Sequence, residues 1–281
     1  MKKSKLVLLV LLAAVFLFSV GMMVRQQLEY QKIAADSAEA ARIAGLPERS
    51  DAPRPTTPDE AEPSAPAVSP EPGETEAPPE EQPIEAVLAG IDLAALREIN
   101  GDIVGWIEIP GTELSYPLVQ GTDNRYYLSH SWKKEYSAGS AVFMESTNHS
   151  DLTDFHTIIY AHRMNNESMF GPLKHYKDPD FWQEHPCVYI ATDTGVYRYD
   201  IFAAHEAGVR EVVYRLDLET SHLEEEFLQY CVENSAIDTG IVPEAGDRIL
   251  TLSTCTASGR KRWVVHGVLA QVYGAEAQGA D

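Results

Sequence analysis

A chain of 281 residues has room for one large domain or two small ones, and its net charge of −21 argues against binding to phosphate backbones. Three cysteines, a small and odd number, argue against a disulfide-stapled scaffold.

The chain opens MKKSKLVLLVLLAAVFLFSVGMMV, with three lysines followed by a run from Leu6 to Val24 that carries no charge. Nineteen helical residues rise about 28 Å, enough to cross a bilayer core. A cleaved signal peptide is the alternative, but its apolar region would be shorter and no clear A-x-A site follows. Residues 6–24 therefore predict a single-pass membrane anchor. The positive-inside rule puts residues 1–5 in the cytoplasm and the rest of the chain outside the cell.

Residues 25–46 are alanine-rich and predict a helix that ends near Gly45 and Pro47. Its apolar stripe is weak, which predicts a stalk rather than a partner-binding helix. Residues 47–83 hold eleven of the seventeen prolines and ten acidic residues against two arginines. Such a stretch buries no core and predicts a disordered linker. As polyproline II it would reach roughly 115 Å, enough to lift a domain away from the membrane.

From Ile84 the composition becomes that of a folded domain, expected over 84–275 with a disordered tail at 276–281. PIEAVLAGIDLAALREIN reads as one helix. DIVGWIEIPGTELSYPLVQG gives two strands around the turn at Pro110-Gly111. Further strands are expected at 140–145, 156–162, 187–191, 196–205, 248–254 and 262–273. A helix over 221–235 interrupts them, with Ser221 and Glu224 at capping-box spacing and Leu223, Phe227 and Cys231 on one face. Many short strands with few helices predict a mainly β fold, a closed barrel in preference to a sandwich.

Cys255 ends the strand ILTLST, and His162 ends the apolar run TIIY. Strand ends present side chains on stiff supports, and a thiol becomes a nucleophile when a base or cation lies nearby. Arg260, Lys261 and Arg262 follow Cys255; if the loop reverses the chain, Arg262 returns beside it as an oxyanion partner. Cys231 reads as a buried helix residue and Cys187 as a strand residue. His266, inside WVVHGVL, reads as structural. HSDLTDFH (149–156) holds two histidines and two aspartates but no recognised ligand spacing, so a polar loop is expected and no metal.

Several separate segments carry a resemblance. VGWIEIPGTELSYPLVQGTDNRYYL, IIYAHRM followed by SMFGPLKHY, and TLSTC followed by RWVV resemble class B sortases in the same order, over about residues 100–272. Sortases are membrane-anchored cysteine transpeptidases of Gram-positive bacteria. The resemblance implies a closed eight-stranded β-barrel with N-terminal helices and one inserted helix before the last strands. It implies Cys255 as nucleophile, His162 as general acid or base and Arg262 as the arginine that steadies the oxyanion or substrate, with Arg260 as competitor. It implies substrate contacts at Asn124, Leu128, Tyr160, Ser253 and Thr254, and aligns Val213 and Tyr214 with a substrate-binding loop. Ala161 departs from the usual glycine of YGH. No cofactor is implied. The implied partners are NPxTx-like sorting signals of exported proteins and an amine of a peptidoglycan precursor or a pilin.

Two other readings share parts of this pattern. A hydrolytic cysteine protease would use the same Cys and His, but papain-like enzymes place Cys first and the QAC-type signature of caspases is absent. A non-enzymatic surface protein on a stalk would need no reactive thiol.

Overall fold

The computed structural model describes residues 2–47, 82–255 and 261–274. Most of the expected linker, the loop 256–260 with Arg260, and the expected tail lie outside the described residues.

Eight strands form the domain: β1 (Ile103–Glu108), β2 (Ser115–Val119), β3 (Val142–Met144), β4 (His156–His162), β5 (Cys187–Thr192), β6 (Gly195–Gly208), β7 (Ile249–Cys255) and β8 (Lys261–Tyr273). They close into a barrel in the order β1-β2-β3-β4-β7-β8-β6-β5, as expected. β2 with β3 and β4 with β7 are parallel; the other neighbours are antiparallel. Closure between β1 and β5 requires Gly105, because a Cβ there would lie 2.4 Å from the carbonyl oxygen of Ala191.

Side chains alternate across each strand, so one row fills the barrel and the other meets the outer layers. Ile107, Leu118, Val142, Ile159, Ala161, Ile190, Leu250, Leu252 and Val265 belong to the main core. On the outside, α5 (Ser221–Glu233) packs Phe227, Leu228 and Cys231 against Phe202, Ala203, Val213 and Val264. This is the inserted helix expected before the last two strands. Its N-cap is Thr220, one residue earlier than the capping-box spacing indicates, with Oγ1 accepting from Leu223 N at 3.4 Å.

The helix expected from Ile84 is two helices. α2 (Ile84–Ala89) stops at Gly90, and Asp92 caps α3 (Leu93–Arg97) by accepting from Ala95 N at 2.8 Å. The Gly-Ile-Asp interruption lets Leu88, Leu93 and Leu96 converge on Trp106. A short α4 (Pro179–Glu184), capped by Asp178, was not anticipated from the sequence.

The N-terminal helix α1 runs without a break over Lys2–Ile43 and contains the apolar stretch long enough to cross a membrane. Its last turns do not form the free stalk expected of residues 25–46. Ile33 is buried, and Ala40 and Ala44 are fully covered. Trp132 Nε1 donates to Asp36 O at 3.0 Å, and Lys133 Nζ bridges Asp36 at 2.7 Å and Glu39 at 3.0 Å. A Cβ at Gly139 would lie 2.6 Å from Ile33 Cδ1. The stripe 33-36-40-44 reads as weak because two of its members are alanines, whose role is to let the backbone approach closely.

Candidate active site

The parallel pair β4–β7 runs in register from His156 opposite Ile249 to His162 opposite Cys255. Neighbouring strands lie about 4.8 Å apart, so the backbones of these two strand ends are adjacent at one rim. On the other side of β7, the β8 ladder pairs Ile249 with Val268 through Ser253 with Val264. Beyond Ser253 the pairing changes form, with Trp263 N donating to Thr254 Oγ1 at 2.8 Å. Arg262, near the start of β8, lies close enough to this rim for its cation to act on the His162 imidazole.

The half-buried His162 is tuned by three influences. Burial pushes its pKa below the ordinary imidazole value, a hydrogen bond with the backbone of Leu128 works against that, and the Arg262 cation lowers it further. Leu128 ends the short 3-10 turn Tyr126–Leu128, which places its backbone on the imidazole. His162 O in turn accepts from Phe170 N at 3.0 Å, fixing the chain beyond β4.

Asn124 and Tyr160 are joined through Glu145, directly after β3. Asn124 Nδ2 donates to Glu145 Oε1 at 2.5 Å and Tyr160 OH to Glu145 Oε2 at 3.0 Å. Ser253 and Thr254 differ from the expectation of groove-lining side chains. Both are buried; Ser253 Oγ pairs with Tyr214 OH at 2.9 Å, and the Thr254 hydroxyl is taken by Trp263 N. Of the sequence candidates, Leu128 and Arg262 act on His162, which pairs with Cys255 in the ladder, while Asn124 and Tyr160 meet on Glu145, beside Ile158 farther along β4. Sequence reasoning overlooked Glu145, although an acid closing the apolar strand SAVFME carries the same strand-end signature as His162 and Cys255.

The other candidates fall elsewhere. In the 149–156 loop, Asp154 holds His149 Nδ1 at 2.6 Å and accepts from Asn148 Nδ2 and His149 N, while His156 turns to Thr251. Among the described residues no cluster of three metal-ligating side chains occurs. Cys187 and Cys231 are buried, and burial pushes both thiols up.

A closed barrel carrying this strand-end pair defines a class of cysteine acyl-transfer enzyme, and comparison with known proteins gives the family. A sortase-domain family model matches residues 107–270. The chain is 34% identical to Sortase B of Listeria monocytogenes over 181 residues, 63% of this chain and 74% of that protein. Its structure is similar to that of the Staphylococcus aureus sortase B-substrate complex, with TM-score 0.61, 31% identity and coverage of 63% of this chain and 84% of the other. Sortase B from Bacillus anthracis is similar over 87% of this chain and 99% of its own, with TM-score 0.67 and 29% identity. The chain belongs to the sortase family and, within it, to class B. It is a sortase-type cysteine transpeptidase, and its N-terminal apolar helix fits the membrane association of that family.

Proposed function

We propose that this enzyme cleaves an NPxTx-like sorting signal of exported proteins and transfers the cleaved protein to an amine of a peptidoglycan precursor or a pilin. The Cys255 thiolate attacks the threonine carbonyl, forming the S–C bond while the C–N bond to the next residue breaks. His162 as imidazolium gives its proton to the leaving amine. The incoming amine then forms a new C–N bond, the S–C bond breaks, and the amine proton returns to the imidazole. Arg262 steadies the oxyanion of both tetrahedral intermediates. Asn124, Leu128 and Tyr160 line the peptide groove, and Ser253 and Thr254 act through the strand they hold in place.

The observation that carries this reading is the register of β4 on β7, with His162 opposite Cys255 and the Arg262 cation acting on the same imidazole. The anchor keeps the N-terminus cytoplasmic and the barrel outside, where exported substrates emerge. The test uses fluorogenic NPxTx and LPxTx peptides with and without added amines, beside Cys255→Ala. Cys255-dependent cleavage with an amine-ligated product supports the reading and names the signal. An acid product alone, whatever amine is supplied, would make the enzyme a hydrolase and overturn it.

A further inference from the structure

Glu145 is a carboxylate only 7% exposed, held in the wall of the proposed groove. Its backbone is fixed from two sides: Glu145 N donates to Ile158 O at 2.8 Å, and Glu145 O accepts from Gln120 Nε2 at 2.9 Å. One carboxylate oxygen, Oε1, accepts from Asn124 Nδ2 at 2.5 Å, Thr147 Oγ1 at 3.2 Å, Ser146 Oγ at 3.3 Å and Thr147 N at 3.4 Å. The other, Oε2, accepts from Tyr160 OH at 3.0 Å. The two side chains it holds come from different parts of the chain, Asn124 from the loop after β2 and Tyr160 from β4.

We propose that Glu145 is the positioning residue of the substrate groove, setting the orientation of Asn124 and Tyr160 with its two carboxylate oxygens. This rests on the reading above that Asn124 and Tyr160 touch the sorting peptide. The amide of Asn124 is locked at both ends, because its Oδ1 accepts from Ser146 N at 2.8 Å while its Nδ2 faces Glu145. A flipped amide would set Nδ2 against a backbone N–H and Oδ1 against a carboxylate, so only one orientation is compatible with this wall. The tyrosine hydroxyl is similarly forced to donate, since an ionised carboxylate only accepts. The Tyr160 ring lies against Phe143, 5.3 Å between centroids, so the hydroxyl bond fixes the remaining freedom of that side chain. A single buried anion therefore keeps two groups on separate elements in one geometry before any peptide arrives. Side chains held this way lose little freedom on binding, which is the benefit of preorganisation.

The test is a double-mutant cycle on the full chain with the sorting peptide found above. Glu145→Gln keeps the shape and the backbone bonds but replaces charged acceptors by one neutral acceptor and one donor. Weakening a charge-assisted bond at each partner gives an expected rise in KM of about tenfold with kcat little changed. Asn124→Ala with Tyr160→Phe raises KM as well, and adding E145Q to that pair changes nothing further. Glu145→Asp keeps the charge on a shorter stem, reaches one partner only, and gives an intermediate KM; it carries the test if E145Q melts below the assay temperature. Effects of E145Q that multiply those of the Asn124 and Tyr160 variants, or that fall on kcat and the pH profile, overturn the proposal alone. Asn124 and Tyr160 variants with unchanged KM would overturn the groove reading, and the proposal with it.

Discussion

His162 and Cys255 are the last residues of two parallel strands and partners in their ladder. Parallel pairing is what makes this a site, because both strands then end at the same rim of the barrel. In an antiparallel pair the two C-terminal residues would lie at opposite rims, separated by the length of the strands. β4 is also the partner of β3, but that pair is antiparallel, so Glu145, the residue after β3, lies beside Ile158, away from the His162 end of β4.

The pH profile follows from His162. With ordinary values near 8.5 for a thiol and 6.5 for an imidazole, roughly one dyad in a hundred is thiolate–imidazolium, and a lowered His162 makes that fraction smaller. The productive singly protonated enzyme is lost on the acid side as His162 protonates without loss of the thiol proton. The acid limb of kcat/KM is therefore expected below pH 6.5, measured on peptide cleavage over pH 5–9. An acid limb at or above pH 6.5 would contradict the buried, cation-facing setting of His162. Cys255→Ala should show no turnover, and His162→Ala should lose about 10²–10⁴-fold.

Arg262 has two separable effects. As an oxyanion donor, its loss should lower kcat by about 10²–10³-fold. As a cation it depresses His162, so Arg262→Gln should also move the acid limb upward, toward the ordinary imidazole value. Arg262→Lys keeps the charge but loses the planar fork, so its acid limb should stay while its rate falls. An upward shift in R262K equal to that in R262Q would remove the electrostatic role.

The strands were legible because their alternation and turn residues survive in the sequence, and the chemistry was legible because Cys255 and His162 interrupt apolar runs at strand ends. Bringing Arg262 to this rim needed only a hairpin of short reach. What the sequence hid were effects of packing. The helix from Ile84 looked continuous because Val87 and Leu88 keep a helical spacing to Ile91 across the Gly90 break. Ser253 and Thr254 looked available because their polarity hides that their hydroxyls serve Tyr214 and Trp263. Glu145 was read as a strand terminus because its partners, Asn124 and Tyr160, lie 21 and 15 residues away.

Acid stability is governed by three buried histidines behind the site, His156, His205 and His266. His156 Nδ1 donates to Arg215 O at 2.8 Å, so neutral His156 accepts at Nε2 from the Thr251 hydroxyl at 2.7 Å; Thr251 then accepts from His266 Nδ1 at 2.9 Å. His205 stacks on His266 at 5.1 Å and touches Tyr230; Glu211 and Asp154 are the nearby carboxylates. Burial lowers His156 and His205 to about 4, and holds His266 well below the ordinary value. Between about pH 6.5 and 4 the unfolded chain binds more protons, so the full stability is present above pH 6.5 and is lost as pH falls toward 4. On the order of 3 kcal/mol is lost for each of His156 and His205. Denaturant unfolding over pH 7.5–4 should show this slope, and His205→Phe should flatten it by about one proton. An unchanged slope in H205F would mean that His205 titrates alike folded and unfolded.

The docked end of α1 changes what the acidic segment does. Asp92 N donates to Ala44 O at 3.1 Å, so the chain on either side of residues 48–81 is joined on one body. A segment whose two ends are held together adds no distance between the anchor and the barrel. The separation is set by the helix from Val24 to Ile33, nine residues or about 14 Å. Replacing 48–81 by eight Gly/Ser residues, which span up to about 26 Å, should leave the melting temperature, peptide cleavage and attachment of exported proteins in cells unchanged. Ala40→Arg should instead lower the melting temperature by several degrees, because it forces a charge into the fully covered α1 seat. If the shortened chain cleaves peptide normally but fails to attach proteins in cells, the segment does set reach, and the α1 contact must open at the membrane.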